Sequence, residues 1–329
     1  MKIAIDVFGG DNAPLETIKG AILAANEYNA DIYLVGLEDT INTILKEEGY
    51  NGDNIFVVNA TERIENEDSP TAAIRTKKDS SMVVAMKMLK EGTVDAMVSA
   101  GNTGALLAGG LFVVGRIKGI DRPALAPILP GRKGPVMLVD AGANAECKVK
   151  NITQFAMMGE IYFRNVMKHN DPKVGLINIG AEESKGTDFT KECYKALKEE
   201  NKAFIGNIEG RDILEGEVQI VVADGFVGNV VLKVFEGTAL TIMKEIKSAL
   251  MGSFVTKIGA LLSKSGFKAF KKKFDYTEHG GAILIGVDGT VIKAHGSSNA
   301  NAFKNAIRQA IRCVEGNIVE SIKTEIIEK

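Results

Sequence analysis

Nine short runs of apolar, largely β-branched residues recur along the chain, at 2–7, 31–36, 55–59, 94–99, 135–140, 173–179, 203–208, 218–223 and 282–287. Helical spacing fills most of the intervals between them. Continuously apolar strands that alternate with helices predict a mostly parallel sheet covered on both faces. The expected fold is therefore α/β, a three-layer α/β/α sandwich, doubly wound or close to it, built as one two-lobed domain over 1–329. Pro14 and Pro70 stand where a first helical turn tolerates proline, with Asn12 and Ser69 as capping candidates. Residues 96–115 are uncharged throughout, as a membrane span would be, but five of the twenty are glycine. A Ser-Ala-Gly-Asn-Thr-Gly turn inside them predicts a buried strand, a loop and a buried helix instead. The segment 122–135 holds four of the seven prolines. It reads as a crossover between lobes or as a surface loop, and not as a central strand.

The strand ends share one grammar. "VADGFVGN" (222–229) closes an apolar run and opens a helix, and "VSAGNTGALL" (98–107), "LVDAGANAE" (138–146) and "LINIGAEESKG" (176–186) do the same. In open α/β sheets ligands bind beyond the carboxyl ends of the strands, where free helix N–H groups and the helix dipole favour anions. Glycine lets backbone approach such a ligand closely. One loop of this kind is equally explained by a tight turn; four together point to a phosphate-like guest.

Composition narrows the choice. Apolar residues are 45% and charged residues 25% of the chain, with a net charge of −2. That balance argues against a general nucleic-acid binder. Cys147, Cys193 and Cys313 stand alone, with no metal-ligand spacing to His169, His279 or His295, which fits a reducing compartment and no zinc site. The chain opens directly on a strand, "MKIAIDV", with no signal-peptide pattern. GxxxxGK[ST], a strand-linked GxGxxG, GxSxG and HExxH are all missing. The expected chemistry thus uses positioning and electrostatics, with no cofactor and no metal.

Charged residues near the loops set the sign of the site. Lys185 sits at a loop-to-helix junction where its ammonium can meet a phosphate; a solvated lysine beside Glu182 and Glu183 is the plainer reading. His295, between a strand and a long C-terminal helix, is a hydrogen-bond donor or a structural histidine, with Ser297 or Ser298 as the helix cap. Asp6 and Asp11 frame "DVFGGD" with Gly9 and Gly10. Acids there would repel phosphate, so an orienting or turn-fixing role is expected.

Residues 250–274 gather six lysines among large apolar side chains. Met251, Phe254, Val255, Ile258, Leu261 and Leu262 follow helical spacing, and Phe267, Phe270 and Phe274 extend the stripe between Lys268, Lys271, Lys272 and Lys273. Such a segment suits an anionic membrane surface or an acidic protein partner. A core-facing helix with a lysine-rich outer side is the competing reading.

Eight segments in order, "IDVFGGDNAP" (5–14), "IRTKKDSSMVVAMKMLKEG" (74–92), "SAGNTGALLA" (99–108), "RPALAPILP" (122–130), "VDAGAN" (139–144), "NIGAEESKG" (178–186), "ADGFVGNVVLK" (223–233) and "HGSSNANAF" (295–303), resemble the fatty acyl–acyl carrier protein:phosphate acyltransferases (PlsX) over essentially the whole chain. Phe8, Thr187 and Asn299 depart from the usual pattern. The resemblance implies transfer of an acyl group from acyl carrier protein to inorganic phosphate, for phospholipid synthesis. It also implies an isocitrate/isopropylmalate dehydrogenase-like and phosphotransacetylase-like fold, a homodimer, and a cytoplasmic enzyme peripherally bound to the inner face of the cell membrane. A membrane-bound glycerol-phosphate acyltransferase would consume the acyl phosphate.

On this reading Asn229 and nearby N–H groups stabilise the thioester oxyanion. Lys185, Ser99, Asn102 and Thr103 bind phosphate, and His295 donates or relays a proton. Gly104, Asp140, Asn144, Asp224, Gly225 and Gly228 complete the substrate loops. Competing readings are a phosphotransacetylase-like enzyme using acyl-coenzyme A, an NAD-linked dehydrogenase on the same fold, and a non-catalytic membrane or carrier-protein docking module.

Overall fold

The computed structural model describes residues 1–274 and 280–328, apart from the side chains of 269, 271–274 and 328. The first half runs β1 (Lys2–Asp6), α1 (Leu15–Glu27), β2 (Asp31–Gly36), α2 (Glu38–Glu47), β3 (Ile55–Asn59), α3 (Pro70–Thr76), α4 (Ser81–Lys90), β4 (Ala96–Ser99) and α5 (Thr103–Gly109). A π-helical turn, Gly110–Val114, extends α5. Next come β5 (Ala124–Pro130), β6 (Pro135–Val139), α6 (Val149–Asn165), β7 (Val174–Asn178), α7 (Asp188–Glu200), β8 (Phe204–Glu209) and β9 (Ile220–Val222). The remainder is helical apart from one hairpin: α8 (Gly225–Met251), α9 (Phe254–Leu262), α10 (Lys264–Phe274), β10 (Ala282–Ile285), β11 (Thr290–Lys293), α11 (Ala300–Glu315) and α12 (Ile318–Glu328).

The strands form one sheet in the order β3-β2-β1-β4-β11-β10-β5-β6-β9-β7-β8. Each outer block is parallel within itself; the antiparallel pairs β11–β10, β10–β5 and β5–β6 join the two blocks. This is the mostly parallel, helix-covered α/β sheet that the apolar runs predict. The largest buried cluster draws on both blocks, from Ile3 and Val98 through Phe155 to Val222, so one core spans the join. Residues 96–115 are the expected buried strand, turn and helix.

The proline-rich segment departs from expectation, because β5 is a central strand and all seven of its residues are buried. Alternate residues of a strand direct their N–H groups to opposite neighbours, so a proline forfeits a bond to one side only. Pairing is also short here: β5 matches four residues of β10 and three of β6. The helix caps differ as well. Pro14 is itself the cap residue of α1, and Asn12 instead donates to the carbonyls of Ser297 and Ser298. Ser69 precedes Pro70 without a side-chain cap bond. Asn299, rather than Ser297 or Ser298, caps α11 by accepting from the Ala302 N–H.

Candidate active site

A cleft of about 480 Å³ opens where the two blocks meet. One wall is polar: Asn102 and Thr103 at the start of α5, Lys293 at the end of β11, and His295 just beyond it. The other wall is apolar, with Leu125, Pro127, Ile128 and Leu129 of β5. Helix α8 closes one side with Asn229, Leu232, Lys233 and Glu236, whose spacing of three, four and seven residues places them on one helical face.

The local sequence explains this placement. Asp224 caps α8, its Oδ1 accepting from the Val227 N–H at 2.8 Å. Gly225 lies against the backbone of Asn144, and Gly228 against the Asp140 carbonyl, which brings the helix hard onto the loop after β6. That loop is organised by the buried Asp140 carboxylate, which accepts from the N–H groups of Leu125, Ala143 and Asn144 and from the Asn144 side chain. Burial pushes the Asp140 carboxyl above its usual range, opposed by those donors. Asp140, Asn144, Asp224, Gly225 and Gly228 therefore build the wall that carries Asn229, and none of them lines the cleft.

On the facing side Asn102 caps α5, its Oδ1 accepting from the Ala105 N–H at 2.9 Å while Nδ2 donates to the Asn66 carbonyl at 2.9 Å. Ser99 and Asp6 lie one layer behind. The Asp6 carboxylate is buried and accepts from Ser81 Oγ at 2.5 Å and Ser99 Oγ at 2.6 Å. Burial raises the Asp6 carboxyl, and the two hydroxyls oppose the shift. A side chain on Gly9 would collide with Asp6 and with Gly101, and Gly10 has φ +107°, so both glycines are steric requirements of this turn. Asp6, Gly9 and Gly10 lie behind the cleft, while Asp11 reaches its edge.

His295 accepts at Nδ1 from the Ser297 N–H at 3.2 Å and meets Ser297 Oγ at 2.8 Å; its Nε2 stands 4.0 Å from Glu236. Burial pushes the imidazole below its usual value, Glu236 opposes, and Lys233 and Lys293 add to the lowering. His295 is thus the neutral imidazole of the cleft near pH 7. Lys185 is exposed on the β7–α7 loop and does not line the cleft. Burial lifts the thiol of Cys147 to about 11 and those of Cys193 and Cys313 to about 12, so none is poised as a nucleophile.

Sequence reasoning missed Lys293, Lys233, Glu236 and Gly142. The last three were within reach, since 233 and 236 share the helical face of Asn229 and Gly142 lies inside a quoted loop. Lys293 had a subtler signal, an ammonium ending an otherwise apolar strand.

Helix α8 exposes Phe226, Val230 and Val234, none of which lines the cleft, and α9 buries no residue. Phe254 and Leu262 are 79% and 80% exposed, Ile258, Leu261 and Phe270 are exposed too, and Phe267 is half-buried. This excludes the core-facing reading of 250–262. Lys268 is exposed, whereas Lys271, Lys272 and Lys273 lie outside the described side chains.

A family described as fatty acid synthesis protein matches residues 1–321. Phosphate acyltransferases from Clostridium novyi and Clostridium tetani are 54% and 53% identical, covering 100% and 99% of this chain and 99% and 98% of those proteins. The chain belongs to the phosphate acyltransferase family. Among solved structures, a phosphotransacetylase from Streptococcus pyogenes superposes with a TM-score of 0.63 at 16% identity, over 97% of this chain and 94% of that one. A branched-chain phosphotransacylase from Enterococcus faecalis gives 0.58 at 14%, over 95% and 99%. These establish a phosphotransacetylase-like fold for this chain.

Proposed function

We propose that this enzyme transfers a fatty acyl group from the thioester of acyl carrier protein to inorganic phosphate, releasing acyl phosphate and free carrier protein for phospholipid synthesis. The observation that carries the reading is the two-faced cleft: an ammonium, an asparagine and a helix start on one side, and the apolar β5 wall on the other. An acyl phosphate has those same two faces.

A phosphate oxygen attacks the thioester carbonyl, a C–O bond forms, and the C–S bond breaks with departure of the thiolate. Hydrogen phosphate loses its proton on becoming the acyl phosphate dianion, and the thiolate gains one. The neutral His295 imidazole suits that relay. In this scheme Asn229, which lines the cleft, donates to the developing oxyanion, and alignment in the cleft supplies the remaining advantage. Neither an acyl-enzyme nor a cofactor is required by this scheme.

The exposed apolar faces of α8 and α9 support two further parts of the proposal, a homodimer and attachment to an anionic membrane surface on the cytoplasmic side. Residues 225–251 are long and apolar enough to cross a bilayer. The first turns of α8 nevertheless form the cleft wall, which ties the helix to the folded body and favours surface attachment over a span. A membrane-bound glycerol-phosphate acyltransferase is the expected consumer of the product.

The deciding experiment measures acyl phosphate formation by purified protein with palmitoyl carrier protein or palmitoyl coenzyme A, with and without phosphate and with EDTA. Phosphate-dependent, EDTA-insensitive turnover of the carrier-protein thioester supports the proposal. Preference for the coenzyme A thioester would replace it with the phosphotransacetylase-like reading, and turnover of neither donor would leave a docking module.

A further inference from the structure

Three parallel neighbours, β1, β4 and β11, end side by side. Lys293 of β11 pairs in register with Ser99 of β4, and continuing the Ile5–Val98 register sets Asp6 of β1 beside Ser99. The row is therefore carboxylate, hydroxyl, ammonium, at the strand ends where α/β sheets receive ligands. Lys293 is 9% exposed, and its Nζ donates to the Ala100 carbonyl at 3.0 Å and the Ala294 carbonyl at 2.6 Å. Among the described residues these are its two hydrogen bonds. An ammonium carries three N–H groups, and Lys293 lines the cleft, so its third donor is available to a ligand there.

Burying a cation among carbonyls is costly unless a charge answers it. Asp6 supplies part of that answer from behind the strand ends. The cleft side awaits an anion. We propose that Lys293 is the residue that holds the attacking phosphate, and that Asp6 is a positioning residue that fixes Lys293 through the Ser99 row. The inference rests on the phosphate-acyltransferase reading above and assigns the phosphate subsite within it. It moves that subsite from the β7–α7 loop of Lys185 to the floor of the cleft.

A second feature bears on the same residue. Burial lowers the Lys293 ammonium to about 8, with Asp6 on β1 and Asp11 before α1 opposing and Lys233 on α8 adding to the shift; His295 is a further titrating neighbour. Phosphate binding is then lost as pH rises through about 8, while binding of the acyl donor is not.

The test determines KM for phosphate and KM for palmitoyl carrier protein separately, across pH, in wild type, Lys293→Met, Lys293→Arg and Asp6→Asn. Lys293→Met should raise KM for phosphate by at least about 10-fold, the value of a charge-assisted hydrogen bond, with donor KM unchanged. Lys293→Arg should recover part of the affinity and remove the rise near pH 8. Asp6→Asn should shift that rise toward lower pH. A folded Lys293→Met enzyme with unchanged phosphate KM overturns the inference. If that variant fails to fold, an unchanged phosphate KM in a folded Lys293→Gln enzyme overturns it instead. If the wild type shows no phosphate-dependent turnover, the functional reading fails. Titration calorimetry with inorganic phosphate on wild type and Lys293→Met then decides the subsite independently.

Discussion

A methyl group on Gly228 would lie 1.8 Å from the main-chain carbonyl oxygen of Asp140. Helix α8 thus reaches the β6 loop only because residue 228 has no side chain, and Asn229 enters the cleft from that contact. The obstructing atom is backbone, so no side-chain rotation relieves it. Gly228→Ala should destabilise the fold by about 1–3 kcal/mol or more, read as a lower denaturant midpoint, and should displace Asn229 and reduce turnover. Gly237 on the same helix has nothing within 4 Å of a Cβ position, so Gly237→Ala should stabilise by about 0.5–1 kcal/mol. Equal responses of the two variants would contradict this packing.

Asn229 lies against Gly142, whose φ is +122° and whose Cβ position is 3.3 Å from Asn229 Oδ1. If Asn229 donates to the oxyanion, Asn229→Ala should lower kcat roughly 100- to 1,000-fold without moving the melting temperature. Retained kcat with a raised KM for the donor would make it a ground-state binding residue instead.

His295 is held below its ordinary value of about 6.5. Between the folded value and 6.5 the unfolded chain binds the extra proton, so stability rises with pH through that window, and the penalty is complete below the folded value. A relay that needs neutral imidazole gives an acid limb in kcat/KM below pH 6.5. His295→Gln should abolish the limb and slow transfer by about 100-fold or more. An acid limb that survives in His295→Gln belongs to another group.

Lys185 is exposed, as is Ile179, on a loop that leaves the same strand ends as the Gly142 and Asn229 loops. An acidic protein substrate approaching that rim would meet it. Lys185→Glu should therefore raise KM for the carrier-protein thioester in a salt-dependent manner and leave KM for phosphate alone. The reverse pattern would return the phosphate to this loop.

The exposed stripe of α8 and α9 calls for a flotation assay. Wild-type protein should float with vesicles containing phosphatidylglycerol, and Phe254→Glu together with Leu262→Glu should prevent this without changing soluble turnover. Flotation unaffected by the double variant would place attachment elsewhere.

The alternation of apolar runs with helical spacing determined the fold class and all nine strands it marked, because burial on both faces leaves a continuous apolar signature in the chain. Three of the four glycine loops likewise lead to the cleft. Two things required the tertiary structure. Proline content argued β5 out of the sheet, yet a strand with short pairings on each side accommodates the lost donors. The other is which residues reach the cleft. Asp140, Asp224 and Gly228 proved to be the joinery, and Lys293, in an ordinary-looking strand, became the buried cation. Side-chain type was legible from the sequence. Whether a side chain faces a loop's own backbone or the space between two halves depends on contacts between residues about 200 positions apart, and only folding brings those together.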